Sequence, residues 1–133
     1  FVSEVRSGSI DAFFRRLQSF FSDAPYEVIL GQDPHRNVEL FFQNVLFIIF
    51  KMMGFYVQVE YHTNHGRVDL VLKTDKYIYL MEFKQDGSAE DALRQIKDSG
   101  YDRPFLADGR KVFRIGVNFS SEDRCIEKWI VEE

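Results

Sequence analysis

The spacing of apolar residues along the chain predicts three helices. Residues 9–23, SIDAFFRRLQSFFSD, place apolar side chains three and four positions apart, as in an amphipathic helix. Asp33 followed by Pro34 predicts the start of a second helix that runs to about Met53. This second helix is apolar nearly all round and should be buried between other elements. A third helix is predicted over residues 88–100, SAEDALRQIKDSG, with a serine cap at its start and a glycine at its end.

Five runs of β-type residues predict five strands. They read FYVQVEY, GRVDLVLK, KYIYLMEFK, KVFRIGVNF and RCIEKWIVE, and the segment DRPFLADGR before the fourth run is predicted to be a polar loop. The order is helix, helix, three strands, helix, two strands. It predicts an α/β (α+β) domain with a central mixed sheet of four to five strands flanked by helices.

The second and third strands form a predicted hairpin whose register brings charged residues together. With Asp75 and Lys76 as the two-residue turn, Asp69 pairs directly with Glu82, and Lys84 points to the same side as Glu82. The opposite face is predicted to be apolar and to carry Val68, Leu70, Leu72, Tyr79, Met81 and Phe83. The same register sets Arg67 opposite Lys84, so the hairpin gathers two acids and two bases at one end of an otherwise apolar pair of strands.

Two carboxylates on directly opposed positions repel each other, because their Cβ atoms are only about 4.5–5.5 Å apart. A divalent cation such as Mg²⁺ or Mn²⁺ removes this repulsion, since hard cations prefer carboxylate oxygens. The alternative interpretation is structural: Asp69 pairs with Arg67, and Glu82 pairs with Lys84, as solvated ion pairs at the end of a sheet. The pattern of two acids followed by a lysine fits both interpretations.

Composition narrows the classes of function. The chain has 133 residues, a formal net charge of −4 and one cysteine. A chain with a net negative charge lacks an overall basic surface for nucleic acid, so any anion-binding surface must be local. A lone cysteine fits a reducing cytoplasm, and no segment is long and apolar enough to predict a membrane span. We expect a single cytoplasmic domain over residues 1–133, cut from a longer protein, with residues 1–32 as an N-terminal helix and connector and 33–133 as the core.

The acid on one strand and the E-x-K on the next resemble the PD-(D/E)XK nuclease superfamily. Asp69 matches the first acid, and Glu82-Phe83-Lys84 matches the E-x-K, although Val68 stands where the proline of the family's name would be. The segments GRVDLVL, MEFK, AEDALRQIKDSGY and IGVNFS resemble, more narrowly, a group of prokaryotic nuclease-like domains that commonly follow an AAA-ATPase-like module. The resemblance implies a restriction-endonuclease-like core, α-β-β-β-α-β, within the predicted order α-α-β-β-β-α-β-β, and such a module as a partner.

The resemblance also implies roles for particular residues. Asp69, Glu82 and the backbone carbonyl of Phe83 would bind Mg²⁺ or Mn²⁺, which activates water for phosphodiester hydrolysis. Glu39, on the helix before the sheet, would hold a second metal ion or a metal-bound water. Lys84 would orient the attacking water or stabilise charge on the phosphate.

Further candidate residues surround Asp69, Glu82 and Lys84. The resemblance implies that Gln95 on the third helix positions the phosphate or the nucleophile, and Arg67 and Tyr101 are candidate substrate contacts, with packing the favoured role for Tyr101. Glu60 could reach the site or be an exposed edge acid. His62 and His65 have an H-x-x-H spacing, a weak zinc signal without further ligands.

We expect a metal-dependent nuclease that acts on nucleic acid, with DNA preferred to RNA as the substrate. The alternative is a binding or regulatory module that keeps the fold and the acids, is attached to an AAA-type ATPase and does not cut. A third alternative is an interaction domain whose charges are only structural. The intact set of Asp69, Glu82 and Lys84 favours the first, and the acidic balance favours the second.

Overall fold

The computed structural model describes residues 1–23, 38–63, 66–122 and 125–133, with the side chains at 23, 38, 39, 62 and 63 excluded. Its elements in chain order are α1 Val2–Arg6, α2 Ile10–Asp23, α3 Val38–Met52, β1 Tyr56–Thr63, β2 Gly66–Lys73, β3 Tyr77–Gln85, α4 Ala89–Ser99, a 3-10 helix Arg103–Asp108, β4 Lys111–Ser120 and β5 Cys125–Glu132. In this part of the chain no helix is both long and apolar enough to cross a membrane.

The element order agrees with the sequence prediction, with two differences. A short helix, α1, precedes the predicted first helix. The predicted polar loop before β4 is wrong over Arg103–Asp108, which forms a 3-10 helix because Pro104 suits its first turn and Phe105 is buried. The predicted start of the second helix at Asp33 and Pro34 lies outside the described residues.

The predicted helix ends are confirmed where the structure describes them. The Ser88 hydroxyl accepts a hydrogen bond from the Asp91 amide at 3.0 Å, which satisfies a free donor in the first turn of α4. Gly100 ends this helix with a φ of 68°, and Gly54 follows α3 with a φ of 85°. Both glycines adopt a left-handed conformation that other residues reach only with strain.

The five strands form one sheet in the order β1-β2-β3-β4-β5. The neighbouring strands are antiparallel except β3 and β4, which are parallel and are joined through α4 and the 3-10 helix. This mixed five-stranded sheet flanked by helices confirms the predicted fold class. The turn at Asp75 and Lys76 is also confirmed, because β2 and β3 pair from Lys73–Ile78 to Leu70–Met81 in the predicted register.

Each face of the sheet has its own hydrophobic cluster. One face packs against α1, α2 and α3 through buried side chains that include Phe13, Phe14, Phe42, Phe50 and Tyr79. Three of the four phenylalanines of α2, Phe13, Phe14 and Phe21, are therefore core residues, whereas Phe20 is exposed. The other face packs against α4 and the 3-10 helix through a smaller cluster that includes Val71, Leu80, Ile96 and Phe105.

Helix α4 lies very close to β4 at Gly116. A Cβ atom added at this glycine would lie 2.3 Å from the Ala89 carbonyl oxygen and 2.6 Å from the Leu93 amide nitrogen. These are backbone atoms of α4, so they cannot move without shifting the helix. The absence of a side chain at Gly116 therefore sets the distance between α4 and the sheet.

We predict that Gly116→Ala destabilises the fold by about 3 kcal/mol, because the added methyl group pushes α4 away from β4. Chemical denaturation measures the change in the free energy of unfolding. Gly54→Ala is the control, since its φ is 85° but no atom lies within 4 Å of the added Cβ. Gly54→Ala should lower the free energy of unfolding by only about 1 kcal/mol, because it strains the backbone without creating a close contact. Equal losses in the two variants would contradict the close approach.

Candidate active site

The candidate site begins where the backbone pairing of β2 with β3 ends. The last bonded pair is Leu70 with Met81, and the Asp69 carboxylate accepts a hydrogen bond from the Phe83 amide at 2.8 Å. The side chain of Asp69 thus occupies the place where a backbone carbonyl of β2 would continue the ladder. The predicted direct backbone pair of Asp69 with Glu82 does not form, although the two residues do meet.

The pairing of β1 with β2 is interrupted at the same level. Val59 pairs with Leu70 and Tyr61 pairs with Val68, but the intervening Glu60 and Asp69 are not paired. Glu60 has a φ of 53°, a strained conformation for a residue with a side chain.

This interruption changes the face on which Val68 lies. Val68 packs in the cluster that contains Val71 and Leu80, so the prediction that it shares a face with Leu70 is wrong. The reason is that the regular alternation of side chains stops at the unpaired level of the sheet.

Glu82 is the more deeply buried of the two acids, with 4% of its surface exposed. Its Oε1 atom accepts a hydrogen bond from the Gln95 side-chain amide at 3.0 Å. Its Oε2 atom is buried and accepts no hydrogen bond from an N–H or hydroxyl group of the described residues; a hydrogen bond between Glu82 and Asp69 requires one of the two acids to carry a proton. A buried carboxylate oxygen without a partner is costly unless it carries a proton or binds a cation.

Gln95 connects Glu82 to Lys84. The Lys84 ammonium donates a hydrogen bond to the Gln95 side-chain oxygen at 2.6 Å, while the nitrogen of the same amide donates to Glu82. Helix α4 presents Gln95 at this point because its buried residues, including Ala92 and Ile96, pack on the sheet and leave Gln95 at the edge of the contact. The amide thus fixes the separation of the lysine and the acid.

Burial changes the ionisation of both acids. It raises the pKa of Asp69, against the opposing effect of the Phe83 amide. Burial, and then the nearby charge of Asp69, raise the pKa of Glu82 to about 9. Without a cation, the pair therefore holds a proton at neutral pH.

This donor set fits a hard divalent cation. Two desolvated carboxylates converge, one of them with an oxygen that accepts no hydrogen bond from an N–H or hydroxyl group of the described residues. The Phe83 carbonyl lies on the same side of β3 as its amide, because a strand residue directs both groups to one neighbour. The described residues hold no group of three or more His, Cys, Asp or Glu side chains that could bind a metal ion. Water or substrate would therefore complete the shell, as Mg²⁺ commonly requires.

The other candidate residues lie around this centre or outside the described residues. Arg67, near the start of β2, is 53% exposed and lies 3.8 Å from the carboxylate of Glu60 in β1, so both are surface residues. The ring of Tyr101 is buried in the hydrophobic cluster under α4, in agreement with a packing role. The side chains of Glu39 and His62 and the whole of His65 are outside the described residues.

Sequence reasoning missed two residues that support the site. Asn118 is fully buried beside Lys84 in the parallel ladder, and its side-chain oxygen accepts from the Gly87 amide at 3.0 Å. Asp86 accepts from the amide and the hydroxyl of Ser121. Together they fix the turn that leads from β3 into α4. A buried amide within the apolar run IGVNF was the available signal for Asn118.

Comparison with known proteins gives a family for this arrangement. Residues 37–129 match the family model described as PD-(D/E)XK nuclease superfamily. The chain is also similar to "Uncharacterized protein in vnfD 5'region" from Azotobacter chroococcum mcd 1, at 32% identity over 116 residues. That match covers 86% of this chain but 22% of the relative, so the chain spans less than a quarter of the relative's length.

The raised pKa of Glu82 predicts how stability depends on pH. Between about pH 4.5 and 9, the folded chain binds more protons at this site than the unfolded chain, so the free energy of unfolding falls as the pH rises. Its slope is at most about 1.4 kcal/mol per pH unit for one proton. Glu82→Gln should flatten the curve, measured by denaturation in the presence of a chelator.

Glu90→Gln is the control for this measurement, because Glu90 is exposed and its pKa is lowered, first by its hydrogen bond with Lys128. This variant should keep the wild-type slope above about pH 5. An unchanged slope in Glu82→Gln would show that Glu82 is not the group that binds the extra proton.

Proposed function

Because the chain belongs to the PD-(D/E)XK nuclease superfamily, we propose that it is a metal-dependent nuclease domain that hydrolyses phosphodiester bonds of nucleic acid. One observation carries the proposal: two desolvated carboxylates, Asp69 and Glu82, meet beside Lys84 where the β2–β3 ladder ends. DNA is the proposed substrate, with RNA the alternative that the assay separates.

Asp69, Glu82 and the carbonyl of Phe83 are the proposed ligands of Mg²⁺ or Mn²⁺, with Glu39 as a candidate for a second ion. When bound, the cation supplies positive charge that polarises a phosphate oxygen and lowers the pKa of a water molecule. Asp69 is held for this role by the Phe83 amide, and Glu82 is held by Gln95. Both carboxylates must be ionised to bind the cation, so binding displaces the proton that the pair otherwise shares.

Lys84 is the proposed source of positive charge at the reacting phosphate. Its ammonium donates to Gln95 at 2.6 Å, which leaves further N–H groups to orient a water molecule or to stabilise the negative charge that develops on the phosphate. Gln95 acts as a positioning residue in this account, because it sets the orientation of both Lys84 and Glu82.

Substrate binding requires local positive charge, since the chain has a formal net charge of −4. Arg67 is exposed at the same end of β2 as Asp69 and is the candidate phosphate contact there. An AAA-ATPase-like module as a partner and a cytoplasmic location stay predictions. The second candidate function, a nuclease fold that binds without cutting, is favoured by the same acidic charge balance, and the assay below separates it.

We predict cleavage that depends on Mg²⁺ or Mn²⁺ and on both acids. Wild type, Asp69→Asn and Glu82→Gln are incubated with plasmid DNA, single-stranded DNA and RNA over a titration of each cation. Each variant should lose at least about 100-fold in rate, because one charged ligand is removed from a site with few protein ligands. Asp91→Asn, an exposed acid on α4, is the control and should cut as wild type does.

The assay separates the two candidate functions by its readouts. Cation binding without cleavage of any of the three substrates would favour the silent binding module. Cleavage that persists in Asp69→Asn at the wild-type rate would contradict the proposed site.

We predict that Gln95→Ala lowers kcat by about 10–100-fold, because Lys84 and Glu82 lose the amide that orients them. KM for the nucleic acid should change little, since Gln95 is not proposed to bind the substrate strand. Single-turnover rates at saturating cation measure the effect. Arg94→Ala, the exposed neighbour on the same helix, is the control. An increase in KM with kcat unchanged would point to a role in substrate binding instead.

A further inference from the structure

A cavity of about 640 Å³ opens at the turn end of the β2–β3 hairpin, away from the two acids. It is formed by the hairpin turn, the start of β1, the segment after α3 and one residue each from α1 and the segment before β4. The residues that line it are Arg6, Gly54, Phe55, Tyr56, Lys73, Thr74, Asp75, Lys76 and Arg110. Its volume lies within the range of about 300–1,000 Å³ that is usual for small-molecule sites.

The cavity concentrates positive charge on an acidic chain. Four of its lining residues are cationic, and Asp75 is its one acidic lining residue among those described. Arg110 is neutralised by Asp108 and donates to the Thr74 carbonyl at 3.0 Å, so it builds the wall. Arg6, Lys73 and Lys76 have no carboxylate within 4.0 Å in the part of the chain that the structure describes.

Aromatic rings hold two of these cations in place. The Lys73 ammonium lies 5.2 Å from the centre of the Tyr56 ring and 5.5 Å from that of Phe105. The Arg6 guanidinium lies 5.8 Å from the centre of the Phe55 ring. Such contacts orient a cation but leave its N–H groups free for an anion.

The charge and the rings together favour one class of ligand. A concave surface with several cations attracts anions, and ammonium and guanidinium groups bind phosphate through charge-assisted hydrogen bonds. Tyr56 is 48% exposed at the rim, so it also offers an aromatic surface on which a base could stack. The backbone carbonyls of Ile49, Phe50 and Lys51, near the end of α3, accept hydrogen bonds from the amides of residues 53–55. They therefore add no unpaired acceptor to the wall of the cavity.

We propose that this cavity binds the phosphate groups of a nucleotide, either free or within a nucleic-acid strand. The site is separate from the two acids: Lys73 is four residues from Asp69 along β2, a distance of about 13 Å in an extended strand. The proposal does not depend on the nuclease activity, because no residue of the cavity belongs to the Asp69, Glu82, Lys84 and Gln95 set.

The test is a titration of the isotopically labelled chain followed by its amide NMR signals, in the presence of a chelator. Pyrophosphate, ADP and a short single-stranded oligodeoxynucleotide are added separately. The proposal expects the amide signals of Gly54, Thr74 and Lys76 to shift, while those of Phe83 and Lys84 stay in place for pyrophosphate and ADP. The affinity should fall as salt is added, since the contacts are ionic.

A pair of matched double variants tests the residues. Arg6→Gln with Lys76→Gln removes two cavity cations and should lower the affinity for pyrophosphate and ADP by about 10-fold. Arg15→Gln with Lys97→Gln removes the same charge from exposed positions outside the cavity and should leave the affinity within about 2-fold of wild type. Denaturation confirms that both double variants are folded.

The three probes identify the source of the phosphate. Tighter binding of ADP than of the oligonucleotide, with shifts at Tyr56, supports a free nucleotide. Tighter binding of the oligonucleotide, with a steeper dependence on salt, supports a strand. The proposal is overturned if none of the probes shifts the cavity signals up to about 1 mM, an affinity limit of about −4 kcal/mol. It is also overturned if the two double variants lose affinity equally.

Discussion

The hydrogen bond from the Phe83 amide to the Asp69 carboxylate is the interaction on which the candidate site depends. It ends the ladder between β2 and β3 after Leu70 and Met81 and brings an acidic side chain into the opening. The amide is satisfied without a backbone partner, so the strands can separate without leaving a buried donor unpaired. The Asp69 carboxylate then meets that of Glu82, and Gln95 joins Glu82 to the ammonium of Lys84.

This arrangement is unfavourable for a chain optimised only for stability. Two acids are desolvated together, and one oxygen of Glu82 accepts no hydrogen bond from an N–H or hydroxyl group of the described residues. The surrounding structure nevertheless fixes both acids: Gln95 binds Glu82, Gly116 allows α4 to approach β4, and Asn118 holds the turn after Lys84. A pair of desolvated acids that so many packed neighbours hold in place is typical of a functional site.

Much of the fold and the meeting of Asp69, Glu82 and Lys84 could be predicted from the sequence, because they depend on local signals, whereas Gln95 was predicted only from the family resemblance. The turn at Asp75 and Lys76 fixed the register, and that register placed Asp69 near Glu82. The face of Val68 could not be predicted, because the unpaired level at Glu60 and Asp69 depends on three strands at once. Asn118 was missed for a similar reason: its partners, Gly87 and Glu127, come from distant parts of the chain.

The central claim is that Asp69, Glu82 and the Phe83 carbonyl form a site for a divalent cation. The most direct test adds Mn²⁺ in substoichiometric amounts to the labelled chain and records the paramagnetic broadening of each amide signal. We predict that broadening is strongest at Phe83 and Lys84, and that Asp69→Asn abolishes this pattern. Broadening that is absent, or that has its maximum elsewhere on the chain, would contradict the account.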